Sequence, residues 1–120
     1  MTTPTWNLAI KPSSAGAVAH SGGSVWNSGI TNIFTMNYVD ATNSVQTLWF
    51  RNLSNLLRTS PVVYLSISSN QSDQPNRADF MIKSLTQNDT VYSMSVQYTY
   101  STTSSMGDLG SALTFYYYSS

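Results

Sequence analysis

One histidine, no cysteine and no glutamate leave a thin supply of groups that move protons or form bonds. His20 stands in "AVAHSGGSVW", near Ser21 and Ser24, which raises the chemistry of a serine–histidine relay. Such a relay needs a base aligned on an exposed nucleophile, commonly at a G-x-S-x-G elbow, and the chain has no such elbow. An ordinary loop histidine accounts for His20, and no enzymatic activity or catalytic residue is expected. Without cysteine there is neither a disulfide framework nor thiol chemistry.

A second cluster could bind rather than react. "NQSDQPNRADF" gathers Asn70, Asp73, Asn76 and Asp79, oxygen donors of the type a hard cation such as Ca²⁺ takes. The spacing fits no calcium loop and Arg77 adds an unhelpful positive charge, so no metal or cofactor is expected. Asp73, Asn76, Arg77 and Asp79 stand instead as candidates for holding sugar hydroxyls or a protein partner, weighed against a merely solvated turn.

The aromatic residues carry the third signal. Trp6, Trp26, Trp49, Tyr92 and Phe115 are most simply core, where a ring buries roughly 150–250 Å². "FYYYSS" at the C-terminus is different, because consecutive tyrosines on a strand cannot all point inward. If Phe115 and Tyr117 are buried, Tyr116 and Tyr118 emerge on the other side, as a protein interface or a platform on which a sugar ring stacks. Trp26 is a further platform candidate.

The elements that must position these groups are strands. In "TVYSMSVQYTY" Tyr92, Met94, Val96, Tyr98 and Tyr100 alternate with Ser93, Ser95, Gln97 and Thr99, the period of a pleated strand with one buried face. "TWNLAIK", "NIFTMNYV", "VVYLSIS", "FMIKSLT" and "ALTFYYY" repeat the pattern, and "VQTLWF", apolar on both parities, reads as a strand with two covered faces. "PSSAGAVAHSGGS" reads as a long loop or an arm able to lie along a neighbouring backbone. "RNLSNLLRTSP" is the one helical stretch, a turn or two closed by Pro61. The expectation is an all-β chain forming a single domain over residues 1–120. Its architecture would be an antiparallel β-sandwich of seven to eight short strands, jelly-roll or immunoglobulin-like, with at most one short helical turn. An eighth strand through Val25 and Trp26 would favour the jelly roll.

Composition narrows the role. Charged residues make up 8% of the 120 positions, where soluble domains carry roughly 25%. Five cations and five aspartates cancel, and Ser, Thr, Asn and Gln fill 50 positions. A neutral chain lacks the cationic stripe that phosphate contacts need, so nucleic acid is not an expected partner. "MTTPTWNLAIKPSS" is not a secretory signal, no apolar run suits membrane insertion, and synthesis in a host cytoplasm is expected. In composition, though not in any motif, the chain is similar to small virion surface proteins and to lectins that lack a signal peptide. The leading expectation is a non-enzymatic structural protein of a symmetric assembly: a virus or phage virion component such as a minor capsid, decoration, vertex or fibre-head protein. It would self-associate or bind other virion proteins through neutral, hydroxyl-rich faces that desolvate cheaply. The alternative is a lectin or adhesin binding carbohydrate for host attachment.

Overall fold

A computed structural model describes residues 3–22, 25–27, 29–69 and 76–119. Seven strands are described: β1 (Thr5–Leu8), β2 (Ala17–Ser21), β3 (Thr31–Asn37), β4 (Val63–Ser69), β5 (Arg77–Asn88), β6 (Val91–Ser101) and β7 (Ala112–Ser119). One helix, α1 (Thr47–Thr59), lies between β3 and β4, and a short 3-10 helix, Met106–Leu109, precedes β7. The strands form one closed barrel in the order β1-β2-β3-β6-β5-β4-β7, with β7 returning to β1.

Closure overturns the sandwich expectation, and the strand that brings it about is β2. Its sequence, "AVAHS", sits in the stretch read as an arm, because small residues and flanking glycines suggest a mobile segment. Ala17 and Val18 are instead buried, and β2 bridges β1 and β3. Strands in a ring can alternate in direction throughout only if their number is even, so seven require at least one parallel pair. That pair is β1 with β2, through Asn7↔Ala17 and Leu8↔Val18, and every other pairing is antiparallel. Gly16 makes the junction possible. Its φ is +81°, its N–H reaches Val39 O (2.9 Å), its carbonyl accepts from Asn7 (2.8 Å), and an added Cβ would lie 3.2 Å from Ala41 Cα.

The second correction is the helix. Thirteen residues long, α1 far exceeds the turn or two expected, and it takes in residues 47–50 of the segment read as a two-faced strand, leaving Val45 in an isolated bridge to Val39. Trp49, Phe50, Leu53, Leu56 and Leu57 recur at the spacing of one helix face. Trp49, Phe50 and Leu53 are buried while Leu48 stays exposed. Val25 makes only an isolated bridge to Ser105, so no eighth strand forms there.

The interior is a continuous aromatic stack. At one end α1 plugs the barrel: Phe50 lies flat on Tyr92 (centroids 3.9 Å, planes 4° apart), and Trp49 packs against Trp6 (5.4 Å) and Tyr117 (4.8 Å). Phe34, Phe80 and Phe115 fill the middle in edge-to-face contacts. Trp26 closes the other end, parallel to Tyr98 at 5.3 Å and edge-on to Phe80. Met94 and Val96 point into this core, as the alternation in β6 requires. The buried polar residues Asn32, Asn37, Asp40 and Ser69 all have hydrogen-bond partners. Asn37, for example, donates to Pro12 O and Ser13 O and accepts from Val39 N, tying the 12–13 loop down.

Candidate functional site

The outer surface of β7, β4, β5 and the end of β6 brings together candidates that lie far apart in the chain. The register aligns Tyr118, Tyr64 and Met81 in one cross-strand row and Tyr116, Ser66, Asp79 and Tyr100 in the next. Thr114, Ser68 and Arg77 follow in a third. Neighbouring strands lie about 4.8 Å apart, so Tyr116 on β7 is about 10 Å from Asp79 on β5. Tyr116 and Tyr118 stack on each other (5.7 Å, 28°), and Tyr118 meets Tyr64 at 5.5 Å. Tyr116 is 49% exposed, Tyr118 41% and Tyr100 52%.

The charged pair belongs to this face. Arg77 donates from Nε to Asp79 Oδ2 (3.2 Å), the one ion pair among the described residues, and its guanidinium lies 5.4 Å from the centre of the Tyr100 ring. Asp79 Oδ1 is shielded from solvent and has no hydrogen-bond partner. Such an oxygen costs on the order of 1–3 kcal/mol, which an incoming donor would recover.

Arg77 and Asp79 were expected in a loop and are strand residues, facing outward because Ala78 and Phe80 between and beside them are buried. Asn76 is turned elsewhere. Its backbone N–H donates to Ser69 Oγ and its side chain to Asp108 O, which ties the residue before β5 to the end of β4 and to the 3-10 helix before β7. Asp73 and Asn70 lie outside the described residues, as does Ser24. Trp26, the other platform candidate, is 8% exposed and serves the core, its indole N–H donating to Thr103 Oγ1. Met81, Tyr64 and Tyr100 were missed as members of the face. The alternation of "VVYLSIS" already turned Tyr64 away from Val63 and Leu65. Tyr100 was legible only as an inward residue, because a register shift between Asp79 and Phe80 leaves Thr99 unpaired and flips the strand's facing beyond it.

Elsewhere the chemistry is structural. His20 Nε2 donates to Asn32 Oδ1 (2.7 Å), and the ring packs on Phe34 and Trp26; it is a strand residue fastened to a buried amide, not a loop residue. A groove of about 560 Å³ beside the start of α1 is lined by Thr5, Asp40, Gln46, Leu48, Asn52 and Tyr117 among others. Burial acts to raise the pKa of Asp40, but hydrogen bonds from Thr42, Ser44 and Gln46 outweigh it and hold the carboxyl below its ordinary value. Burial pushes the Tyr117 hydroxyl up to about 12, and this group donates to Trp49 O at 2.7 Å. Among the described residues no three His, Cys, Asp or Glu side chains converge as a metal site, and no helix is long and apolar enough to cross a membrane. No protein-family model matches the chain, and no curated protein or solved structure is detectably similar to it.

Proposed function

We propose that the chain is a non-enzymatic structural component of a symmetric assembly, of the kind that builds or decorates a virion surface, and that the tyrosine face meets a second copy. The observation that carries this reading is the clustering of Tyr116, Tyr118, Tyr64, Met81 and Tyr100 on one side of a chain with few charges to keep copies apart. Tyrosine and methionine are enriched at protein interfaces, and a tyrosine gains contact area while keeping its hydroxyl paired.

The face also suits its own image. It carries a donor with terminal amino groups beyond its bond to Asp79, and an acceptor oxygen with no partner. A two-fold contact presents the same patch from both sides, so Arg77 of each copy would approach Asp79 of the other. A small rotation of the carboxylate would bring Oδ1 to that donor. Association runs through side chains here, because a closed barrel has no strand edge to offer. That removes one argument for self-association, the free edge, and leaves the face.

The parallel tyrosine pair supports a second reading, a carbohydrate-binding platform with Arg77 and Asp79 as hydroxyl partners two strands away. Native mass spectrometry of the pure protein, followed by a glycan array, separates the two. A defined oligomer supports the assembly reading. A monomer that retains a glycan replaces it with the lectin reading, and a monomer with no glycan and no affinity for a capsid or tail lattice ends both.

A further inference from the structure

A second groove, which shares no residue with the tyrosine face, runs between α1 and the hairpin of β5 and β6. It encloses about 430 Å³ between the helix residues Thr47, Arg51, Ser54, Asn55 and Arg58 and the strand residues Leu85, Thr86 and Gln87, with Phe50 and Tyr92 at its base. The five helix residues recur at steps of four, three, one and three, so they form one face, opposed to the Trp49 and Leu53 side that enters the barrel.

Two of the chain's five cations line this one groove, and no carboxylate does. Neither takes part in an ion pair among the described residues. Arg58 is held by a hydrogen bond from Nη2 to Asn55 Oδ1, which aims it along the helix. In a chain so short of charge, two cations on one helix face with no acid lining the groove between them leave a place for an anionic ligand. Seven residues separate them, two helical turns or about 10 Å along the axis, the length of a disaccharide rather than of one small ion.

We propose that this groove binds an acidic saccharide, a sugar carrying a carboxylate or sulfate group. The carboxylate or sulfate is taken by one of the two arginines, whose planar fork matches its oxygens, and the other donates to oxygens farther along the sugar. The hydroxyls go to Thr47, Ser54, Asn55, Thr86 and Gln87, neutral groups that both donate and accept. Asp89 borders the adjoining recess, which shares Thr47, Gln87 and Tyr92, and it sets the orientation: the anionic end lies away from it, and a hydroxyl-bearing end can donate to it. Nucleic acid fits worse. Phe50 and Tyr92 are 1% and 8% exposed, leaving no ring on which a base could stack, and two cations offer little to a polyphosphate backbone.

The test is a two-dimensional amide NMR titration of the full chain with 3′-sialyllactose, a sulfated disaccharide and lactose, at low salt. Saturable shifts are expected with one or both acidic sugars, confined to α1 and the β5–β6 hairpin, and absent with lactose. Arg51→Gln with Arg58→Gln should weaken binding by about tenfold or more while the amide spectrum keeps its dispersion, since both side chains are exposed. Lys11→Gln, an exposed cation that lines neither this groove nor the tyrosine face, should leave it unchanged. Equal binding of lactose, equal binding by the double variant, stronger binding of an acidic peptide or an oligonucleotide, or no shifts at millimolar sugar would each overturn the proposal. Because Tyr116 and Tyr118 play no part in this site, their replacement leaves the outcome unaffected and separates it from the assembly reading.

Discussion

Tyr116, Tyr117 and Tyr118 are one amino acid in three adjacent positions, and the pleat of β7 gives the middle one a different role from its neighbours. Tyr117 is buried against Trp49, with its hydroxyl donated to the helix backbone; Tyr116 and Tyr118 stand in solvent, stacked on each other. The inward residue couples α1 to the barrel, and so contributes to stability. The outward two cover no core, and a face of unspent tyrosines is there to be contacted. The difference teaches that the two sides of one strand can be perturbed separately: the inner side holds the fold, and on the proposed assembly reading the outer side is the one that meets a partner.

The largest effect should come from inside. Trp6 is fully buried and touches Trp49, Phe50 and Phe115, so Trp6→Ala should lower unfolding stability by about 3–5 kcal/mol in denaturant titration. A loss no larger than that of an exposed tyrosine would break the division. Next is the inward polar anchor. Asp40→Ala strips acceptors from Thr42 N, Ser44 N and Gln46 Nε2, and should cost about 1–3 kcal/mol. The wild-type carboxyl has a folded pKa below its unfolded one. Its stabilising contribution is therefore fully present above the unfolded value, about 3.9, and is lost as pH falls through the lower folded value. Acid unfolding midpoints should show that contribution missing in Asp40→Ala.

Tyr117→Phe should cost about 1 kcal/mol, because it removes one hydroxyl and leaves Trp49 O without its donor. The same group sharpens the comparison at high pH. Its folded pKa of about 12 exceeds the unfolded value of 10, so the stability it adds is complete below pH 10 and falls between 10 and 12. In Tyr117→Phe that alkaline decline should be shallower. Smallest is the outer pair: Tyr116→Ser with Tyr118→Ser should change monomer stability by less than about 0.5 kcal/mol.

Local alternation was enough to place β1, β3, β4, β6, β7 and all but the start of β5, and to turn Tyr116 and Tyr118 outward, because a half-buried strand writes its two faces into adjacent residues. It failed where local pattern and tertiary role diverge. Val18 stands between two alanines, too little bulk to mark a strand, yet a strand at the barrel's parallel junction, with Gly16 against the Asp40–Ala41 backbone, needs little of it. Trp49 and Phe50 looked like two strand faces, and only with Leu53, Leu56 and Leu57 do they form a helix face. That Tyr116 shares a face with Asp79 and Arg77 was not legible at all. It depends on β4 pairing with both β5 and β7, and the β4–β7 partners, such as Ser66 and Tyr116, lie dozens of residues apart where no local pattern reaches.

Sedimentation velocity at micromolar concentration, on the wild type and on the Tyr116→Ser, Tyr118→Ser protein, tests the assembly reading most directly. The account predicts a defined oligomer for the wild type and a shift towards monomer for the double variant, with the far-ultraviolet circular dichroism of the two unchanged. A wild type that sediments as a single monomeric species, or a variant that associates as strongly as the wild type, would contradict it.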